Sequence, residues 1–180
     1  MRLHRVHWWL PKVSPSEDGH PLYVWDKQTE GRITNPSAYK ALYVGDSPAG
    51  AVAETFGNSA IWTDDLFVAP SRLPGGIRAI TEYEGDPVVY DLDSAPNLAA
   101  QYIRPSRVVT RQYIHTRAWA YGIFTSVGGD GIRWWSYHDP DYFSFGLWNT
   151  AALSILHTEP LYRKHPAVSQ ASYVLGRVWQ

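Results

Sequence analysis

The 180-residue sequence contains no cysteine. The protein therefore has no disulfide, no thiolate ligand for a metal and no cysteine nucleophile. No stretch approaches the ~18 consecutive apolar residues that identify a membrane-spanning helix. The residues that follow Met1 are Arg-Leu-His-Arg-Val-His, without the apolar core of a signal peptide. These absences predict a cytoplasmic protein that makes no contact with a membrane.

An excess of one charge is also missing, because 16 basic and 17 acidic residues give a formal net charge of −1. This balance argues against a protein that binds nucleic acid through a broad basic field. A small anionic substrate is compatible with it, since a few local arginines are enough to bind one. The phosphate-binding patterns GxxxxGK[ST] and GxGxxG before a helix do not occur.

Aromatic side chains are abundant, with nine Trp and twelve Tyr. They supply large apolar areas with polar tips, which suit a core and stacking on a flat ligand. Hydrophobic residues make up 44% of the chain and charged residues 18%, a composition typical of globular proteins. Length and the lack of an internal linker or repeat predict a single domain over residues 1–180.

The hydrophobic pattern predicts an α+β fold. Strands are expected over residues 3–10, 41–44, 66–69, 77–83, 88–92, 132–137 and 172–179, and helices over residues 94–102 and 110–121. Residues 143–148 fit either a strand or a short helix. The segment 11–36 is rich in Pro, Gly, Ser and charge, and it predicts a long functional loop. In the 110–121 helix, an apolar-aromatic face is expected from Tyr113, Ile114, Arg117, Ala118 and Tyr121.

One helix carries clear start and stop signals. Ser47 is a good N-cap, Pro48 suits the first helical position and Gly57 suits the C′ position. The apolar residues between them recur at helical spacing, with the stripe centred between Val52 and Phe56. Glu54 lies roughly 150° from that stripe at about 100° per residue, so its side chain points to solvent or into a cleft.

The segment 31–57, GRITNPSAYKALYVGDSPAGAVAETFG, resembles the RES domain family. The matching positions are Gly31-Arg32, Asn35-Pro36, Tyr43, Ser47-Pro48 and Glu54, with eleven residues from Arg32 to Tyr43 and eleven from Tyr43 to Glu54. Two flanking pieces are similar to the family as well. They are Arg5 in the first strand and Gly131-Ile132-x-x-x-Ser136, followed by Phe145-Gly146-Leu147-Trp148.

The resemblance implies a fold like that of ADP-ribosyltransferases, with central mixed or antiparallel sheets and flanking helices. It implies that the protein consumes NAD. Many relatives are the toxin of a bacterial toxin–antitoxin pair, so a cognate antitoxin, DNA-binding and Xre-like, is expected as a partner. Some relatives hydrolyse or phosphorolyse NAD and others transfer ADP-ribose to a protein, and the residues leave these alternatives open.

These residue types suit that chemistry. Cleavage of the nicotinamide–ribose bond passes through an oxocarbenium-like sugar, which a carboxylate such as Glu54 stabilises. Arg5 and Arg32 fit the pyrophosphate, because a guanidinium binds such oxygens bidentately. Tyr43 can stack on nicotinamide, and Ser136 can donate to a ribose hydroxyl or a phosphate. The expected catalytic residues are Arg32, Glu54 and Ser136, and the expected binding residues are Arg5, Arg32, Tyr43 and Ser136.

Two functions of other classes compete. Gly45-Asp46-Ser47 after an apolar run is similar to the start of GDSL-type esterases, but the Asp-x-x-His that would activate Ser47 does not occur in the sequence. A non-catalytic module could instead use Trp and Tyr to bind a carbohydrate or a partner. The seven His residues predict no metal site, because His4 and His7 face opposite sides of a strand and the loop from His138 to Asp141 is expected to be solvated.

Overall fold

The computed structural model describes residues 1–26, 28 and 31–180. Of the predicted 11–36 loop, Lys27, Thr29 and Glu30 lie outside the described residues. The strands are β1 Arg2–Trp9, β2 Leu42–Gly45, β3 Ile61–Trp62, β4 Ile77–Gly85, β5 Val89–Asp91, β6 Gly131–Trp135, β7 Phe143–Leu147, β8 Leu153–Pro160 and β9 Val178–Trp179. The helices are α1 Pro48–Phe56, α2 Ala95–Ala100, α3 Pro105–Val108, α4 Tyr113–Ser126 and α5 Pro166–Val174, with a 3₁₀ turn over Asp64–Phe67.

Seven of these strands form one mixed sheet in the order β5-β6-β7-β2-β1-β4-β8. The β5–β6 pair is parallel and the other neighbours are antiparallel. Strands β3 and β9 form a separate parallel pair. Helices flank the central sheet, which confirms the predicted α+β class.

In the centre of the sheet there is a gap between β1 and β2, which we call the seam. Strand β1 pairs with β4 along its whole length, from Arg2 opposite Glu84 to Trp9 opposite Ile77. With β2 on its other side it shares only the His4–Gly45 pair. The two strands therefore separate beyond that pair, and side chains from both line the gap between them.

Helix α1 begins at the residue that the sequence predicts, and its buried face is the predicted apolar one. The Ser47 hydroxyl accepts from the Gly50 amide at 3.0 Å. The apolar face packs against α5 in a cluster that includes Val52, Phe56 and Val168, and Glu54 lies on the exposed face. Gly57 differs from the prediction, because its φ of −62° is not left-handed.

Two predictions of secondary structure were wrong. Residues 66–69 do not form a strand, because the 3₁₀ turn over Asp64–Phe67 occupies their start. Residues 172–179 contain the end of α5 and the two-residue β9 rather than one strand. Helix α5 begins at a histidine cap, since His165 Nδ1 accepts from the Ala167 amide, and histidine is outside the usual capping set. The long edge strand β8 was not predicted.

The predicted apolar face of α4 is also not its packing face. Thr116, Ala120 and Ile123 are the buried residues of this helix. Ile114 is 78% exposed and Tyr121 49% exposed on the opposite side. Tertiary packing thus selected the narrower stripe of small and branched side chains over the more aromatic one.

Candidate active site

A cleft of about 330 Å³ follows the seam between β1 and β2. Arg5 of β1, Arg32 from the loop before β2, Tyr43 of β2 and Glu54 of α1 all line it. Four of the five predicted site residues therefore meet in one hollow. The fifth, Ser136, follows β6 and contacts the carboxylate of Glu54.

The guanidinium of Arg32 is fixed by the backbone that follows α3. Its Nη1 donates to the carbonyl oxygens of Val108 at 2.8 Å and Thr110 at 2.7 Å. The Tyr113 ring lies 5.7 Å from the guanidinium carbon. Arg32 is only 9% exposed, and burial lowers its pKa while Tyr113 and Glu54 raise it. The arginine is thus oriented before any ligand arrives.

Tyr43 is held at its hydroxyl. The phenol oxygen accepts from the Ile33 amide at 3.1 Å and shares a hydrogen bond with Thr34 Oγ1 at 3.0 Å. Burial raises the pKa of Tyr43, so the phenol stays neutral. Its ring meets Trp134 edge to face, with 6.3 Å between centroids. These contacts fix the ring plane at the cleft wall.

Gly31 is required by this arrangement. Its φ is +134°, a region that L side chains rarely adopt. A Cβ on Gly31 would lie 2.5 Å from both the Tyr43 hydroxyl and Thr34 Oγ1. The Gly-Arg pair thus lets the chain pass close to Tyr43 and then direct Arg32 into the cleft.

Asn35 closes the same segment. Its Nδ2 donates to the Ile33 and Arg117 carbonyl oxygens and to the Tyr39 hydroxyl. From α4, Thr116 Oγ1 donates to the Arg32 carbonyl at 2.5 Å and Arg117 Nε donates to the Gly31 carbonyl at 3.1 Å. Helix α4 therefore supports the Gly-Arg pair from behind.

Arg5 is anchored by the predicted long loop that follows β1. Its Nη1 donates to the carbonyl oxygens of Pro21 at 2.6 Å and Tyr23 at 2.9 Å. The hydroxyl of Tyr83 on β4 donates to the same Pro21 carbonyl. Burial lowers the pKa of Arg5, and the neighbouring Tyr83 and Asp18 raise it. The loop that composition marked as functional thus orients one of the two arginines.

The carboxylate of Glu54 lines the same cleft. Ser136 Oγ donates to Glu54 Oε1 at 2.5 Å and accepts from the His138 amide at 3.0 Å. Ser136 is 3% exposed, so the donor of this hydrogen bond is buried while its acceptor Glu54 is exposed. A fixed negative charge next to a cleft lined by two arginines can bind an anion while stabilising positive charge on a neighbouring atom.

His138 is a residue near the site that the sequence analysis placed in a solvated loop. Its ring packs on Gly57, where a Cβ would lie 2.6 Å from His138 Cε1. Burial lowers the pKa of His138, Glu54 raises it, and Arg177, Arg111 and Arg32 lower it further. The half-buried imidazole is therefore neutral near pH 7 and does not compete with the arginines for Glu54. No spacing rule in the sequence indicated this contact.

Tyr113 and Trp134 were also missed as site residues. Both line the cleft, one beside Arg32 and the other beside Tyr43. Tyr113 belongs to the aromatic face predicted for α4, which was the available signal. Trp134 stands two residues before Ser136 and, as a buried strand residue, has the appearance of a core side chain.

A second cleft of about 450 Å³ lies on the far side of His4. Glu159 pairs there with His157 at 3.7 Å and with His165 at 3.2 Å. No arginine is among its described lining residues, so it suits a phosphate-bearing ligand less well than the first cleft.

Two general properties concern residues 1–26, 28 and 31–180. In that part of the chain no three His, Cys, Asp or Glu side chains are grouped so that they could hold a metal ion. No helix there combines the length and the apolar character needed to cross a bilayer.

Comparison with known proteins identifies the family. The RES domain model matches residues 2–170. The crystal structure of the M. tuberculosis MbcT-MbcA toxin-antitoxin complex contains a chain that superimposes with a TM-score of 0.63 at 12% sequence identity. The match covers 97% of this chain and 88% of that chain. At this sequence identity the match shows that the two chains share a fold and nothing more. No curated protein matches the sequence.

Proposed function

Because this chain belongs to the RES domain family, we propose that it consumes NAD by cleaving the bond between nicotinamide and ribose. One observation carries the proposal: the Glu54 carboxylate, fixed by Ser136, lines the same cleft as Arg5 and Arg32. The cleft volume of about 330 Å³ lies within the ~300–1,000 Å³ typical of small-molecule sites.

In this proposal the arginines bind the pyrophosphate. Each already donates from one guanidinium nitrogen to two backbone carbonyls, so little side-chain entropy is lost when a phosphate binds. Fixed, buried cations bind phosphate oxygens more strongly than flexible ones at the surface. Arg5 and Arg32 thereby hold the dinucleotide along the seam.

Glu54 stabilises the sugar as its base departs. The bond to nicotinamide breaks and its electron pair leaves with the ring, so positive charge develops on the anomeric carbon and the ring oxygen of the ribose. Water or phosphate then forms the new bond to the anomeric carbon, and the proton that the acceptor loses goes to solvent. The carboxylate opposes that charge, while nicotinamide leaves as a neutral molecule and needs no general acid. Ser136 is a positioning residue here, because its hydroxyl donates a hydrogen bond to Glu54.

Tyr43 provides a flat wall for nicotinamide. Its hydroxyl is occupied by Ile33 and Thr34, and its ring is fixed against Trp134, so it offers a face for stacking rather than a hydrogen bond.

The biological role that we propose is that of a toxin held inactive by an antitoxin. The MbcT-MbcA chain to which this fold is similar comes from a toxin-antitoxin complex. A small DNA-binding antitoxin of the Xre-like type is the proposed partner, and a reading frame for such a protein beside this gene would support it. Transfer of ADP-ribose to a cellular protein is the close alternative, since the same cleft serves both reactions.

The two functions of other classes have less support. Ser47, the nucleophile that an esterase would need, caps α1 through the Gly50 amide. An aromatic binding module could use exposed rings such as Tyr102 and Tyr173, yet it would leave the cleft that Arg32 and Glu54 line without a function.

The test measures nicotinamide release from NAD by the purified protein, with and without inorganic phosphate. We expect Glu54→Gln to lower the rate by about 10²–10³-fold, because it removes the charge at the developing cation. Glu84→Gln is the matched control, since Glu84 is an exposed carboxylate on β4 that pairs with Arg2 at 3.7 Å. ADP-ribose as product indicates hydrolysis, and ADP-ribose 1″-phosphate indicates phosphorolysis. A wild-type protein that releases no nicotinamide, or a Glu54→Gln variant that retains the full rate, contradicts the proposal.

A further inference from the structure

The segment that contains α3 and α4 carries an excess of positive charge. Between Asp93 and Asp130 there is no acidic residue, and this segment carries Arg104, Arg107, Arg111 and Arg117. The rest of the chain has twelve basic residues against all 17 acidic ones. Residues 160–180 also lack acidic residues and carry three basic ones, so α3, α4 and the turn that joins them form one of two basic regions in an almost neutral protein.

The exposed side of α4 lies in this basic region and is apolar. Ile114, Ala118 and Tyr121 are exposed, and at ~100° per residue they fall within one narrow arc of the helix. That arc is opposite the buried arc of Thr116 and Ile123. An apolar stripe of this kind on an otherwise polar surface is typical of a helix that packs against another protein.

Basic residues lie beside α4 and at its start. Arg107 lies beside α4, because its carbonyl accepts from Trp119 Nε1. Arg111 precedes the helix, and His115 is exposed next to Ile114. Within residues 1–26, 28 and 31–180 no carboxylate forms an ion pair with Arg107 or Arg111. We call Arg107, Arg111, Ile114, His115, Ala118 and Tyr121 the α4 surface.

The α4 surface ends at the candidate active site. Arg111 donates to Asn58 Oδ1 just after α1 at 2.8 Å, and its guanidinium lies 4.8 Å from the centre of the Tyr137 ring. Two residues further along, Tyr113 lines the cleft. A chain segment that follows the stripe toward the start of α4 therefore arrives at the mouth of the cleft.

We propose that the α4 surface binds an acidic, amphipathic segment of a partner protein and that the bound segment covers the cleft. The inference rests on the proposed function, in which a partner keeps the enzyme inactive. Carboxylates of the segment pair with Arg107 and Arg111, and its apolar side chains cover Ile114 and Tyr121. Nucleic acid would leave this stripe unused, and a second copy of the chain would bring like charges together.

The probe is a fluorescent helical peptide of about four turns, with glutamates on one face and leucines on the other. Binding is followed by anisotropy without NAD, and inhibition of nicotinamide release is measured separately. We expect Arg107→Glu/Arg111→Glu to weaken binding by at least about tenfold at low ionic strength, and less at high salt. Ile114→Asp should weaken binding to a similar extent. Arg163→Glu/Lys164→Glu, a double charge reversal on the exposed loop before α5, is the matched control and should bind normally.

Several outcomes would overturn the inference. Equal binding of poly-glutamate would remove the role of the stripe. Tighter binding of a short DNA duplex would make the surface a nucleic-acid site, and self-association abolished by Ile114→Asp would make it a contact between copies. If none of the variants loses peptide binding, the surface itself is rejected. Because the binding assay contains no NAD, a protein that binds the peptide but releases no nicotinamide contradicts the proposed function and not the surface.

Discussion

The two sides of the cleft are held in different ways. On one side, Arg5 and Arg32 are tied to four backbone carbonyls and lie on or beside the central strands. On the other, Glu54 projects from the exposed face of α1 and its hydrogen bond goes to Ser136. The arginines thus contribute to the stability of the fold through backbone contacts, while Glu54 contributes little to it. Substitutions on the first should change stability and binding together, and substitutions on the second should change activity alone.

The largest effect on stability is expected from Arg32→Met. The change leaves the buried carbonyl oxygen of Val108 and the partly buried one of Thr110 without their donor, which costs about 2–4 kcal/mol. The free energy of unfolding in urea measures it. Arg2→Met, which removes an exposed arginine from surface ion pairs, should cost less than about 1 kcal/mol. Equal losses for both variants would show that Arg32 is not a structural residue.

Gly31→Ala should destabilise the protein by about 2–3 kcal/mol, because the alanine would have to adopt a glycine conformation and displace the Tyr43 hydroxyl. The KM for NAD should rise as well, since Arg32 is the next residue. Gly122→Ala in α4 is the control: nothing lies within 4 Å of its added methyl, so stability should stay or increase by about 0.5–1 kcal/mol. A wild-type unfolding curve for Gly31→Ala would contradict the close contact.

Low pH should destabilise the arginine side of the cleft through protonation of His7. Burial and the nearby charge of Arg5 lower the pKa of His7 from 6.5 to about 3. Its Nδ1 donates to the Trp8 carbonyl, so Nε2 accepts from Thr81 Oγ1 and the ring is neutral. The unfolded chain takes up this proton near pH 6.5, whereas the folded chain does so only near pH 3.

The stability that neutral His7 provides is therefore complete above pH 6.5 and is lost as the pH falls toward 3. Between about pH 7 and about pH 5 the loss amounts to about 2 kcal/mol. Unfolding curves at several pH values measure it, and His7→Asn should flatten that part of the profile. An unchanged slope in His7→Asn would assign the acid sensitivity to other groups.

The smallest effect on stability is expected from Glu54→Gln, within about 0.5 kcal/mol, because the side chain is exposed and the amide oxygen still accepts from Ser136. The same variant is expected to lose most of its nicotinamide release. Comparing its melting temperature with its rate separates the two properties. A loss of more than about 1 kcal/mol would show that the carboxylate side is also part of the fold.

The same contrast separates what the sequence could predict from what it could not. Helix α1 and the outward direction of Glu54 follow from caps and spacing within eleven residues, and the structure confirms both. The hydrogen bond from Ser136 to Glu54 joins residues 82 positions apart, and no local pattern encodes it. The Gly-Arg pair was recognisable as a motif, yet its backbone acceptors at Val108 and Thr110 were not.

The errors have a common physical cause. In α4 the sequence favours a stripe through Ile114 and Tyr121, but the space beneath the helix admits only Thr116, Ala120 and Ile123. At residues 172–179 the β-branched and aromatic side chains favour a strand, while Pro166 and the His165 cap start a helix that extends to Val174. Such competition between local preference and packing is decided by contacts that are distant in sequence.

The order of the strands in the sheet has a consequence for synthesis of the protein. Strand β1 precedes both of its neighbours in the sheet, β2 and β4, and Ser136 and β7 are translated after all three strands. A nascent chain that ends before residue 136 lacks the hydroxyl that holds Glu54 and the strand that pairs with β2. Folding of domains during translation proceeds as their segments emerge. The cleft is therefore completed only once the segment that contains Ser136 and β7 has been translated.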